Sequence, residues 1–159
     1  MAIRTGDSAQ GFELPHKPGE TIDVGTHIGS EPVVLLFFPL AFSPTCTDEF
    51  CTMRDEWDSW ASLDAKVFGV TCDSPFVTDR FREELRIPFP ILSDFNRDVA
   101  KSWGAIHDEL LGLRDVPKRA AFVVDANGSV AYDWVSDDPS KLPDFAAVKS
   151  AVESVKVGS

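Results

Sequence analysis

The sequence predicts an α/β fold: one central mixed sheet with helices on both faces. Three observations carry this. Val33–Phe38, Val67–Val70 and Ala120–Val124 are runs of apolar residues and glycine, the pattern of strands covered on both sides. Residues 45–63 and 142–155 repeat apolar side chains every three to four positions, the helical period. Ala126-Asn127-Gly128-Ser129 separates two strand-like runs, as in a hairpin.

The elements follow in order. Residues 1–32 hold the turn formers Pro15, Pro18, Gly19, Gly25, Gly29 and Pro32. Phe12–Leu14 and Thr21–Val24 are short strand candidates, so this region reads as a small hairpin elaboration. Val33–Phe38 is the first main strand. Thr45–Leu63 reads as one helix, with Phe50, Met53, Trp57, Trp60 and Ala61 on its apolar side and Asp48 and Glu49 in its first turn. Lys66–Thr71 is the second strand, Asp73-Ser74-Pro75 ends it, and a helix runs from Phe76 to Leu85. Ile91–Asp94 is a brief extended piece, and Asp98–Trp103 a short helix closed by Gly104. Ala120–Asp125 and Val130–Trp134 form the hairpin around Gly128. Leu142–Val155 closes the chain as a helix, with Phe145, Val148, Val152 and Val155 on one side. The order, βαβα then ββα, resembles a thioredoxin-like fold with an N-terminal β-hairpin elaboration, though many α/β folds share pieces of it.

At 159 residues the chain is expected to be one domain, 1–159, with a core large enough to need no staples. A hydrophobic fraction of 43% and a charged fraction of 26% are those of a soluble globule. A net charge of −11 disfavours nucleic acid and anionic membranes as partners. The N-terminus, MAIRTGDSAQGF, lacks the apolar stretch of a signal peptide, and no run is long enough to span a bilayer. The expected location is therefore the cytoplasm.

Cys46, Cys51 and Cys72 are too few, and odd in number, for a disulfide scaffold. There is no CxxC, GxGxxG or P-loop, and His16, His27 and His107 are scattered. No metal and no cofactor is expected.

The chemistry concentrates at the corner Phe37-Phe38-Pro39-Leu40-Ala41-Phe42-Ser43-Pro44-Thr45-Cys46. A buried strand ends there and a helix begins. The carboxyl edge of an α/β sheet is where such folds place ligand sites. A helix start offers unpaired N–H groups and the positive end of the dipole, which lower a thiol's pKa from about 8.5. The competing reading is an inert core thiol, the common state of a free cysteine. For Ser43 and Thr45 it is a helix cap, for Arg119 a solvated charge, and for Glu49 a complement to the helix dipole.

Pro39, Ser43 and Cys46 match the pattern Pro-x-x-x-Thr/Ser-x-x-Cys, and with it the chain resembles the peroxiredoxins. The resemblance continues through VFGVTCDS (67–74), PFPILSD (88–94), DVAKSWG (98–104) and RAAFVVD (119–125). FPLAFS (38–43) resembles the alkyl hydroperoxide reductase E type. CTDEFC (46–51) resembles that type and the bacterioferritin comigratory protein type.

The resemblance implies a thiol peroxidase. Cys46 would be the thiolate that attacks a peroxide and becomes sulfenic acid. Arg119 would stabilise that thiolate and hydrogen-bond the peroxide oxygens. Ser43 would supply a hydroxyl able to donate and accept, where the family more often has Thr. Pro39 would shield the site, and Glu49 would hold an arginine in place. It also implies a peroxide substrate and a thiol reductant, such as a thioredoxin-like or glutaredoxin-like protein. Assemblies in the family run from monomers through homodimers to rings.

The resemblance makes Cys51 the resolving thiol. In an ideal helix, residues five apart have Cα atoms roughly 8–9 Å apart, beyond the disulfide limit of about 7 Å. A 46–51 bond therefore requires the first turn to unwind. Cys72 or an external thiol stands as the alternative resolver. The alternative function is a redox sensor that uses reversible Cys46 oxidation as a signal.

Overall fold

The structure, a computed structural model, describes residues 3–138 and 140–157. A hairpin of β1 (Glu13–Lys17) and β2 (Glu20–Asp23) precedes a 3-10 turn at Val24–Thr26. Then come β3 (Val33–Phe37), α1 (Pro44–Asp55), α2 (Trp57–Ala61), β4 (Lys66–Thr71), α3 (Pro75–Leu85), β5 (Ile91–Ser93) and α4 (Asp98–Ser102). The rest is β6 (Ile106–Leu110), β7 (Leu113–Pro117), β8 (Arg119–Val124), β9 (Val130–Ser136) and α5 (Phe145–Val157).

The main sheet has the order β5-β4-β3-β8-β9. β3, β4 and β5 run parallel; β8 and β9 are antiparallel additions. It is the mixed sheet that the sequence predicts. The two-residue period of β3 splits the core in two. Val34 and Leu36 join Phe50, Met53, Phe81, Val148 and Val152 from α1, α3 and α5. Val33, Leu35 and Phe37 join Val99, Ala100 and Trp103 on the α4 side. Helices therefore cover both faces, which is why β3 carries no polar side chain.

The packing that seats α1 matters most for the site. The Phe50 ring lies 4.6 Å from that of Phe38 and 5.8 Å from that of Phe81, centroid to centroid. Each such pair contributes about 0.5–1.5 kcal/mol beyond its area burial. Gly69 in β4 leaves room beneath it: a Cβ there would stand 2.7 Å from Ile91 Cδ1 and 3.4 Å from the Phe50 ring.

Three elements differ from the sequence reading. The single helix 45–63 is two helices, broken at Glu56 (φ −105°, ψ 17°). The apolar period continues across the break through Trp57 and Trp60, so the pattern does not reveal it. The last helix starts at Phe145 rather than Leu142, because Pro143 disfavours helical backbone at the residue before it. Asp144 caps the new start by accepting from Ala147 N at 3.2 Å.

The third difference is an additional hairpin, β6–β7, in which Leu110 pairs with Leu113. Its two-residue turn places Leu111 at φ 54° and Gly112 at φ 80°. Both central residues are left-handed, as the tight hairpin turn of primed type requires. The usual first residue there is Asn or Asp, so Leu-Gly gives no turn signal. A leucine in this backbone region costs about 1–2 kcal/mol. No described helix is long and apolar enough to cross a membrane.

Candidate active site

β3 ends at Phe37, and its partner register on β8 is Ala120. Arg119, one residue before Ala120, therefore stands at the edge where the chain leaves β3 toward Cys46. Ser43 is the N-cap residue of α1 and Pro44 its first residue, which makes Cys46 the third. The first bond of the helix ladder runs from Thr47 N to the Ser43 carbonyl at 2.9 Å. The N–H groups of Thr45 and Cys46 precede that ladder and add to the positive end of the helix.

Arg119 bridges two acidic side chains. Its Nη2 donates to Cys46 Sγ at 3.1 Å, and its Nη1 to Glu49 Oε1 at 2.6 Å. All three residues are buried, at 1% exposure or less. Cys46 and Glu49 are three apart on α1, so the helix presents both to the same side. A planar guanidinium fork can serve both; an ammonium could not do so with this geometry.

Glu49 is thus neither in the first turn nor solvated. Asp48, its neighbour, is the exposed one. The dipole-complement reading of Glu49 gives way to a buried ion pair. Its second oxygen, Oε2, is buried with no hydrogen-bond partner.

Two acids face one cation, and burial opposes the charge on each. Burial pushes the Glu49 carboxyl from 4.5 up to about 7, against the pull of Arg119. Burial also pushes the Cys46 thiol up; Arg119, the Ser43 hydroxyl and the Leu40 backbone pull it down without cancelling that push. A thiol below the ordinary range, expected from the helix start alone, is not what the resting site holds. The physical reason is burial: the sulfur loses more solvation than Arg119, Ser43 and the Leu40 backbone return to its charged form.

Ser43 does not use its hydroxyl as a cap. The hydroxyl donates to the Leu40 carbonyl at 2.9 Å and lies within hydrogen-bond reach of Cys46. Pro39 is buried behind the loop. A cleft of about 200 Å³ opens over the corner, lined by Pro39, Leu40, Ser43, Leu110, Leu111 and Arg119 among others. Ser43 and Arg119, which both adjoin Cys46, are among the lining residues, and the buried sulfur is not. Phe42 is not among the lining residues; its ring lies 5.2 Å from that of Phe81.

Cys51 lies half-buried on the same unbroken helix as Cys46, and all three thiols are free. Cys72, just beyond β4, is buried and donates to the Pro39 carbonyl at 3.7 Å.

The sequence reading treats Asp73 only as punctuation, yet it ties down the loop that carries Pro39 and Ser43. Its Oδ2 accepts from Ala41 N at 2.6 Å and from the Thr71 hydroxyl at 2.9 Å. An Asp one or two residues beyond a strand, at the sheet edge that carries the site, is the signal that could have found it. Asp73→Ala is expected to slow peroxide oxidation of Cys46 about tenfold by loosening the loop. Asp73→Asn, which keeps an acceptor, is expected to restore most of the rate. Equal loss in both variants, measured by stopped-flow fluorescence, would count against a positioning role.

Comparisons with known proteins identify the chain's relatives. The AhpC/TSA family matches residues 5–133. Peroxiredoxin Bcp of Bacillus subtilis (strain 168) is 31% identical over 140 residues, covering 84% of this chain and 86% of that protein. Chloroplastic peroxiredoxin Q of Oryza sativa subsp. japonica is 32% identical over 130 residues, 82% of this chain but only 58% of that protein. The crystal structure of peroxidoxin BcpB from Mycobacterium tuberculosis superposes with a TM-score of 0.81 at 31% identity, covering 98% of this chain and 97% of that one. With the family matched from Thr5 to Asp133, across every element that builds the Cys46–Glu49–Arg119 site, this chain belongs to the AhpC/TSA family of peroxiredoxins.

Proposed function

We propose that the chain is a thiol peroxidase that reduces hydrogen peroxide or alkyl hydroperoxides through Cys46. The observation that carries this reading is the Arg119 guanidinium bonded to a buried cysteine at a helix start. A peroxide entering the cleft meets Arg119 and Ser43, which lie beside the sulfur. The Cys46 thiolate sulfur bonds to one peroxide oxygen and the O–O bond breaks. The other oxygen leaves with a proton as water or alcohol. Sulfur loses two electrons and becomes sulfenic acid. Arg119 stabilises charge on sulfur and on the departing oxygen, and the Ser43 hydroxyl can donate or accept as that charge moves. Pro39 shields the site, and Glu49 positions Arg119.

Cys51 is the proposed resolving thiol. Because 46 and 51 lie on one continuous helix, their disulfide requires the start of α1 to melt. A thioredoxin-like or glutaredoxin-like protein, or another external thiol, then restores the reduced state. A homodimer and a cytoplasmic setting belong to the same proposal.

Cys46→Ser is expected to abolish peroxide consumption in the presence of a dithiol; full activity would overturn the reading. Sustained turnover of the native protein with excess dithiol separates a peroxidase from a sensor, which reacts once and stops. Mass spectrometry after one equivalent of peroxide is expected to show a 46–51 disulfide.

A further inference from the structure

The cleft over Cys46 is larger and more apolar than hydrogen peroxide needs. Its volume is about 200 Å³. A cavity of about 150 Å³ lined by apolar side chains accommodates benzene, and one water takes about 30 Å³. Its polar lining residues are Ser43 and Arg119, which adjoin Cys46, together with Thr45 and Ser140. Leu40, Leu110 and Leu111 supply much of the rest of the lining.

Leu111 is the unusual member. It sits at the tip of the β6–β7 hairpin, at φ 54°, with 84% of its surface exposed. Asn fits this backbone more readily, and a polar residue would suit this exposure. Strain retained beside a reactive centre is a pointer to function.

We infer that Leu110 and Leu111 form a specificity wall: the cleft seats the apolar group of an alkyl or aryl hydroperoxide and favours it over hydrogen peroxide. The inference rests on the peroxidase reading and deepens it. The hydroperoxide directs its terminal oxygen to Cys46 and leaves its carbon-bearing oxygen toward the hairpin. Sulfur takes the terminal oxygen, the O–O bond breaks, and the alkoxide gains a proton to leave as alcohol. No further reactant is needed.

The test compares second-order rates of Cys46 oxidation by cumene hydroperoxide and by hydrogen peroxide, in the native protein and in Leu111→Asn. Asn suits the left-handed backbone, so the variant is expected to fold with an unchanged or higher melting temperature. The native protein is expected to react about tenfold faster with cumene hydroperoxide. The variant is expected to lose most of that advantage while its hydrogen peroxide rate stays within about twofold, the scale on which small apolar contacts discriminate. A Leu110→Ser, Leu111→Asn pair is expected to lose the rest. An unchanged rate ratio in the variants would overturn the inference and leave the peroxidase reading intact. So would a variant that only dissociates a dimer, seen by sedimentation, since the leucines would then serve a second copy. Failure of the native protein to react with either peroxide would overturn the peroxidase reading itself.

Discussion

Arg119→Met is expected to slow oxidation of Cys46 by peroxide about 10²–10³-fold, the usual consequence of removing one preorganised donor from developing charge. The loss has two sources. Arg119 is the cation bonded to Cys46 Sγ, so the thiolate fraction at neutral pH falls. Arg119 also lines the cleft, so the departing oxygen loses a donor. Stability falls as well, because breaking a buried ion pair by removing one partner costs about 3–5 kcal/mol. The lower end is expected here. Glu49 already sits near 7 with Arg119 present, so it takes up a proton rather than remain a lone buried charge. Arg119→Lys keeps the charge but loses the fork. It is expected to recover part of the rate and little of the stability, since one ammonium cannot reproduce bonds at 2.6 and 3.1 Å to two different side chains. Stopped-flow fluorescence gives the rate and urea denaturation the stability. A rate within threefold of native for Arg119→Met would remove Arg119 from the proposed mechanism. Adding Glu49→Gln to Arg119→Met is expected to return part of the lost stability while leaving the rate low, because it neutralises the orphaned acid without replacing the donor.

What the sequence made legible follows from the range of the interactions. β3 could be read because all five of its residues are buried, and an unbroken apolar run of that length between prolines fits a strand covered on both faces. The β8–β9 hairpin could be read from the turn that contains Gly128, at φ 88°. The start of α1 could be read from Ser43 and Pro44. The break at Glu56 could not, because nothing local forces it; Trp60 is buried against the core formed by distant elements. The β6–β7 hairpin was hidden by a leucine in a position where asparagine is usual. The site divides in the same way. Cys46 and Ser43 stand out locally as a strand-to-helix corner. Arg119, 73 residues from Cys46, was reachable only through resemblance. Asp73, which reaches back 32 residues to the backbone of Ala41, was missed because its local pattern is that of an ordinary turn. Leu111 was missed because its importance lies in where the hairpin folds over the corner, which no local pattern records.

Glu49→Gln is expected to change how stability and reactivity depend on pH. In the folded protein burial holds the Glu49 carboxyl at about 7, above its ordinary value of 4.5. The folded state therefore binds more protons than the unfolded state between those values, and stability falls as pH rises across that window. A displacement of this size corresponds to about 3 kcal/mol, fully expressed by pH 7 and absent below 4.5. Gln titrates nothing in the window. The variant is therefore expected to gain on the native protein by up to about 3 kcal/mol between pH 4.5 and pH 7, seen as diverging urea midpoints. Parallel midpoints across the window would refute the assignment. The same exchange bears on Cys46. Once Glu49 loses its proton, it competes with the sulfur for the one guanidinium that contacts both. In Glu49→Gln the guanidinium no longer faces a carboxylate beside Cys46, and the pH profile for alkylation of that thiol is expected to move to lower pH. The Gln amide can still accept from Nη1, so Arg119 keeps its place and the shift reports charge rather than position. If the profile moves to higher pH instead, Glu49 acts mainly by orienting Arg119, and the two acids do not compete for it. The net charge of −11 has no part in this outcome. Surface charges are screened within about 8 Å at physiological salt, whereas the Cys46–Arg119–Glu49 trio is buried and keeps its own balance of one cation against two acids.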